Sequence, residues 1–134
     1  MAIDRPVEEV FDYLADPRNR PEWQSSLRSV ELVDDGPPRV GFRWSETTVV
    51  GVRPSLTITE CERPRVWVEH GTWRGVAATL RLDFAPAPRG CTVGVSGSVE
   101  GSGPWTVPAS LAGLLAGRAI ASDVRKAGRI LASR

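Results

Sequence analysis

The sequence predicts an α+β fold: a curved antiparallel β-sheet of six to seven strands wrapped around a long C-terminal helix, with two short helices after the first strand. Three observations carry this reading. Residues 27–99 alternate apolar and polar positions, with turn residues about every ten positions, as in an antiparallel meander. Residues 108–132 carry a helical stripe, Leu111, Leu114, Ala121, Val124 and Leu131, widened by Leu115, Ile120 and Ala127. Near the N-terminus, Val7, Val10, Phe11 and Leu14 recur at i, i+3, i+4 and i+7, and a second, proline-started turn follows.

The elements follow in order. Pro6 suits a first helical turn, where a missing N–H is harmless, and Asp4 is placed to cap it. Glu8 and Glu9 lie at the positive end of the helix dipole. Asp16-Pro17 ends this helix and starts a short turn, which Pro21 stops, leaving Trp23 at the exit. Leu27 to Val33 reads as a strand closed by Asp34-Asp35-Gly36-Pro37-Pro38. Val40 to Val50 sets Phe42, Trp44, Glu46 and Thr48 against Arg43, Ser45 and Thr47, with Gly51 in a turn. Leu56 to Cys61 ends at Arg63-Pro64, and Val66 to Trp73 ends before Gly75. Val76 to Phe84 puts Leu80, Leu82 and Phe84 on one face, with Thr79, Arg81 and Asp83 on the other. Pro86, Pro88 and Gly90 form a hairpin loop ahead of Cys91 to Val99. Gly101-Ser102-Gly103-Pro104 breaks the pattern before the last helix, which at 1.5 Å per residue is about 35 Å long.

The 134 residues suit one domain, 1–134, around one core. A net charge of +1 argues against a nucleic-acid surface, which needs a clustered basic excess. Lys126 is the only lysine, a bias that reads as genomic composition. Cys61 and Cys91 stand outside any CxxC, and with His70 as the single histidine there is no metal pattern. No metal, no cofactor and reduced thiols are expected. No signal-peptide pattern is visible, so the expected setting is the bacterial cytoplasm. Leu111 to Ala121 is the most apolar stretch, but Gly113, Gly117 and Arg118 interrupt it, and no stable membrane insertion is expected.

A curved sheet gripping a helix encloses volume unless large side chains fill it. Thr57, Thr59, Ala77, Ala78, Gly94 and Gly97 on the strands are small or polar. Gly113, Gly117 and Gly128 each weaken a helix interior by up to about 1 kcal/mol relative to alanine. These glycines either allow close packing or leave room for a ligand.

The run Pro6-Val7-Glu8-Glu9-Val10-Phe11-Asp12-Tyr13-Leu14-Ala15-Asp16-Pro17, continued by Pro21-Glu22-Trp23, resembles the start of the polyketide cyclase/dehydrase and lipid-transport superfamily. This is the START-like, helix-grip fold shared with birch-pollen allergens. Val40-Gly41-Phe42-Arg43-Trp44, the Pro64 turn, Phe84 before Gly90-Cys91-Thr92 and the final amphipathic helix are similar to its later landmarks. The resemblance spans nearly the whole chain. It implies a first strand before Pro6, which only Met1 to Asp4 can supply here. The hairpin position often occupied by Gly-Gly-Thr in relatives is Gly90-Cys91-Thr92.

Tryptophan combines a large apolar surface with one N–H donor, which suits the wall of a pocket for aromatic or lipid-like ligands. The expected ligand-binding residues are Trp23, Phe42, Trp44, Trp67, Trp73, Trp105, Leu111 and Leu114, with Trp44 and Trp23 foremost and Trp105 at the mouth. The catalytic candidates are Glu46 and His70. Glu46 shares the face of Trp44; if that face is concave, it is a carboxylate in an apolar pocket, and if convex, a solvated charge. Glu69 and His70 are strand neighbours and point to opposite faces, so His70 would need a partner from another strand. Tyr13, the only tyrosine, is expected to pack at the helix junction.

The resulting expectation is binding or transport of a small hydrophobic ligand, lipid, isoprenoid or polyketide-like, by a monomer or homodimer. The alternative implied by the resemblance is a polyketide aromatase/cyclase or dehydratase using a polar residue of the same cavity.

Overall fold

In the computed structural model, the backbone is described for residues 1–134 and the side chains for residues 1–105 and 119–134. Seven strands form one antiparallel sheet in the order β1-β7-β6-β5-β4-β3-β2. They are β1 (Ala2–Ile3), β2 (Leu27–Leu32), β3 (Arg43–Thr48), β4 (Ser55–Glu62), β5 (Val66–Trp73), β6 (Val76–Ala87) and β7 (Gly90–Gly101). Helices α1 (Val7–Leu14) and α2 (Arg20–Trp23) stand between β1 and β2, joined by a 3₁₀ turn at Pro17–Asn19, and α3 (Thr106–Ala132) closes the chain. This is the helix-grip arrangement.

The first strand is as short as the sequence allows: Ala2 pairs with Thr92 and Ile3 with Cys91. Gly90 makes this edge possible. Its φ is +152°, and a side chain there would collide with the backbone of Ile3 and Arg5. Gly128 serves a related purpose on α3. A Cβ there would come within 3.3 Å of the Ile3 side chain, so this glycine brings the helix close to β1 rather than opening space. Gly113 and Gly117 lie outside the described side chains.

Helix α1 buries Val7, Val10, Phe11, Tyr13 and Leu14. Phe11 meets Phe84 of β6 edge to face at 5.0 Å between ring centroids. Asp4 is not its cap. The extended Pro6 (φ −54°, ψ 142°) occupies that position without a side-chain hydrogen bond, and the Val10 N–H donates to its carbonyl at 3.1 Å. Strand β6 runs through Pro86, which the sequence reading placed in a loop. Pairing with β5 stops at Asp83, so Pro86 sits where only β7 flanks the strand and its missing N–H is tolerated.

Irregular pairing at Leu27/Ser29 and Ile58/Glu60 adds to the curl of the sheet. Residues paired directly across strands share a face, which sorts the inner side from the outer. Trp44, Leu56, Gly71 and Ala78 form one inner row, and Ile58, Glu69 and Leu80 the next. Thr57, Ala77 and Gly94 therefore face outward, while Ala78 and Gly97, paired with Gly71 and Leu80, lie on the concave side; Thr59, at the β4 irregularity, is exposed. The core joins the inner face to α1 and to Val124, Ala127 and Leu131 of α3.

Candidate functional site

The inner face of β3 and β5 carries an ionic cluster inside an aromatic shell. Helix α2 delivers its cation. Asp16 caps the preceding 3₁₀ turn by accepting from the Arg18 N–H at 3.0 Å, and Pro17 and Pro21 fit the first turns of their short helices. Arg20 and Trp23, three residues apart on α2, turn to the same side and are both buried. Sheet alternation supplies the anions. Glu46 stands two residues from Trp44 on β3, and Glu69 two residues from Trp67 on β5.

Arg20 bridges the two strands. Its Nη1 donates to Glu46 Oε1 at 2.9 Å and, more weakly, to Gln24 Oε1 at 3.4 Å; its Nη2 donates to Glu69 Oε1. The indole N–H of Trp44 donates to the same Glu46 oxygen at 3.1 Å. The guanidinium carbon lies 5.4 Å from the Trp44 ring centroid and 5.8 Å from that of Trp23, within cation–π range. Arg20, Glu46 and Glu69 are 2%, 5% and 3% exposed, so the group is withdrawn from water.

Burial penalises charge on Glu69 more than Arg20 favours it, and the nearby Glu46 adds to that penalty. Glu69 therefore holds its proton well above the ordinary carboxylate range. Arg20 is desolvated too, but the two glutamates outweigh this and keep it charged. Among the described residues, four buried polar atoms have no hydrogen-bond partner: Arg20 Nε, Trp23 Nε1, Trp67 Nε1 and Glu69 Oε2.

Phe42, Trp44 and Trp67 form a continuous aromatic row, with centroids 6.3 Å apart at each step. Trp23, Phe42, Trp44 and Trp67 are all buried. Trp73 and Trp105 form a separate, half-buried pair at the β5–β6 turn, edge to face at 5.4 Å. The Trp105 ring lies against Gly75, where a Cβ would overlap it. Leu111 and Leu114 lie outside the described side chains. His70 is exposed on the outer face, with Nδ1 3.4 Å from the Thr79 hydroxyl. The structure does not bring it to Glu46, which lies on the opposite side of the sheet.

Sequence reasoning did not select Arg20 and Glu69. Glu69 had a usable signal, because period-two alternation puts it on the Trp67 face. Arg20 had almost none, since a four-residue helix has no periodicity to read. A third buried carboxylate, Asp123 on α3, accepts from Ser25 Oγ at 2.8 Å. An open cleft of about 500 Å³ between β1 and the end of α3 has no aromatic lining and none of the cluster residues. No helix among the described residues is long and apolar enough to cross a membrane.

The family described as polyketide cyclase/dehydrase and lipid transport matches residues 1–134. No curated protein matches the sequence significantly. Among solved structures, Ara h 8.0201 superposes with a TM-score of 0.76 at 13% identity, covering 100% of this chain and 95% of its own. A protein from Mesorhizobium loti gives 0.73 at 16% identity, covering 99% and 93%, and one from Bacillus halodurans 0.71 at 15%, covering 97% and 91%. At these identities the likeness speaks for the fold.

Proposed function

The chain belongs to the polyketide cyclase/dehydrase and lipid transport family, and on that premise we propose that it binds a small hydrophobic molecule between the inner face of the sheet and α3. The observation that carries this reading is the buried aromatic row Phe42–Trp44–Trp67, joined by Trp23 through Arg20. Flat, apolar rings beside a few convergent polar groups are the usual make-up of a small-molecule site. Glu46 and Glu69, bridged by Arg20, form the polar end of that site.

Native mass spectrometry of the purified chain tests the proposal, together with tryptophan quenching by a panel of polycyclic aromatics and isoprenoids. A co-purified apolar molecule, or saturable quenching at micromolar concentration, is expected. The absence of both across the panel would remove the binding reading.

Glu69 supports a second reading, in which the same site acts on a poly-ketone chain. A buried carboxyl whose pKa desolvation raises above the ordinary carboxylate value is suited to general acid–base work. If the site is catalytic, Glu46→Gln and Glu69→Gln abolish turnover while affinity stays within about threefold, and His70→Ala leaves both unchanged. Turnover that survives both glutamate substitutions rejects the catalytic reading and leaves the binder.

A further inference from the structure

One end of the sheet gathers three connections. Ser45, Ser55, Thr72, Ala77 and Glu100 pair in a row from β3 to β7, and the β3–β4, β5–β6 and β7–α3 connections all lie beyond that row. They are tied together there. The Ser102 N–H donates to the Gly75 carbonyl at 2.9 Å, and Trp105 packs on Trp73.

Two side chains at this end have no task in the fold. The β3–β4 turn is made by Gly51, at φ +88°, and by Thr48. The Gly51 N–H donates to the Thr48 carbonyl at 3.0 Å, and the Val52 N–H to the Thr48 hydroxyl at 3.0 Å. Nothing in this geometry needs an apolar side chain at 49 or 50. Yet Val49 and Val50 stand side by side at the tip, 53% and 81% exposed. At the neighbouring turn, Arg74 is the one non-glycine residue with positive φ (+52°) among the described residues, a conformation disfavoured by its Cβ. Its guanidinium carbon lies 4.9 Å from the Trp73 ring centroid.

The charge of this end is one-sided. Residues 47–54, 72–76 and 101–105 contain Arg53 and Arg74 and no Asp or Glu. Arg28 is exposed beside the same turn, next to the Leu27–Thr48 pair. The contact of Arg53 with Glu31 at 3.2 Å is a solvent-exposed pair that competes weakly with another anion. The other exposed valines, Val33 and Val40, lie at the opposite end, in the β2–β3 connection that also carries Asp34 and Asp35.

We propose that the end formed by Val49, Val50, Trp73 and Trp105, with Arg28, Arg53 and Arg74 around it, docks reversibly on an anionic lipid bilayer. A convex two-valine tip offers far less than the roughly 800 Å² per partner of a stable protein interface. It suits shallow entry into a bilayer, with indoles at headgroup level and arginines toward the lipid phosphates. The contact is peripheral, and it does not depend on the inner face being a ligand cavity.

Flotation of the full chain with vesicles of phosphatidylcholine, alone or with about one-third phosphatidylglycerol, tests the proposal. Binding to the mixed vesicles is expected to be at least about tenfold tighter than to the neutral ones, with the preference shrinking as salt rises. Tryptophan emission shifts to the blue on binding, because Trp73 and Trp105 leave water while Trp23, Trp44 and Trp67 are already buried. Val49→Ser/Val50→Ser weakens binding about tenfold or more without disturbing the far-ultraviolet circular dichroism. Arg53→Gln/Arg74→Gln removes most of the preference for anionic lipid, and Val33→Ser/Val40→Ser changes nothing. No binding to the mixed vesicles overturns the proposal, as does binding that the Val49/Val50 variant retains or that the Val33/Val40 variant loses equally. A dimer that Val50→Ser dissolves, without vesicle binding, overturns it and gives the tip to a second copy of the chain. Saturable quenching by an apolar ligand without vesicle binding overturns it while leaving the ligand-binding reading intact.

Discussion

Arg20 Nη1 donates to Glu46 Oε1 at 2.9 Å, with both side chains almost fully withdrawn from solvent. The bond joins a four-residue helix to β3, the strand beside the β2 edge of the sheet, across 26 positions of sequence. Its chemical meaning lies in the third member, Glu69, which shares the same guanidinium and leaves the cluster with two carboxyl groups for one cation. Buried ion pairs add little net stability because desolvation offsets the attraction. Their disruption is another matter, and the first prediction concerns it.

Arg20→Met leaves two buried carboxyl groups without their cation. The expected loss is about 3–5 kcal/mol, the usual effect of removing one partner from a buried pair. Combining Arg20→Met with Glu46→Gln and Glu69→Gln recovers most of it, because no uncompensated charge remains. Urea unfolding of wild type, Arg20→Met and the triple variant checks this. A single variant within about 1 kcal/mol of wild type would mean that the cluster is solvated or already largely neutral.

Much of the fold is legible in the sequence because it rests on periodicity over long runs. The alternation of β5 marks Val66–Trp73 from end to end, and the α1 stripe names four of the five side chains that this helix buries. Pro86 was less legible, because whether a proline breaks a strand depends on which side a neighbour pairs, a tertiary fact. The same holds for the small residues. Thr57 and Ala77 look like cavity-formers by composition, and pairing alone reveals that they face outward. At the candidate site, the face shared by Trp44 and Glu46 is readable from alternation, but its concavity is not. Arg20 is hidden because arginines are seldom buried, and only the two glutamates waiting on other strands make its burial tolerable.

Glu69 makes stability fall as pH rises. Its folded-state pKa lies above the ordinary value of 4.5, so the native chain binds a proton that the unfolded chain releases first. The associated stability is complete below 4.5 and is lost as pH climbs through the raised folded value, at no more than about 1.4 kcal/mol per pH unit. Glu69→Gln removes this slope. Asp34 works in the opposite sense but below its ordinary 3.8, because hydrogen bonding to Arg43 lowers its pKa, so the two windows are separate. Denaturation midpoints of wild type and Glu69→Gln on the alkaline side of 4.5 provide the check. Parallel pH profiles would show that Glu69 does not carry the proton.

Gly75 is predicted to be intolerant of even one methyl group. A Cβ would overlap the Trp105 ring, which is held edge to face against Trp73 at 5.4 Å. Gly75→Ala therefore displaces Trp105 and costs about 1–3 kcal/mol, the range for overpacking. Near-ultraviolet circular dichroism reports the loss of the tryptophan pair directly. In a Trp105→Ala background the same substitution should be nearly neutral, because the colliding ring is gone. Equal costs in the two backgrounds would place the strain in the turn backbone and not in the indole.

Tyr13 gives a spectroscopic readout of the helix junction. It is the only tyrosine in the chain, so its phenolate band is unambiguous. Burial, then the hydrogen bond from its hydroxyl to Glu22 Oε1 at 2.9 Å and the negative charge of Glu22, push its pKa up to about 12, against a smaller opposing pull from Arg134. The protonated phenol is thus favoured by the folded state. Its contribution to stability is intact below the ordinary value of 10.0 and is lost as pH rises toward 12. Glu22→Gln removes the anionic acceptor and frees Arg134 from its 3.0 Å ion pair, and both changes move the pKa down toward 10. Burial keeps it from returning fully. Absorbance of the phenolate followed against pH measures both midpoints, with far-ultraviolet circular dichroism on the same samples separating titration from unfolding. A wild-type midpoint near 10, or one that Glu22→Gln leaves in place, would mean that Tyr13 faces water and that Glu22 does not hold it.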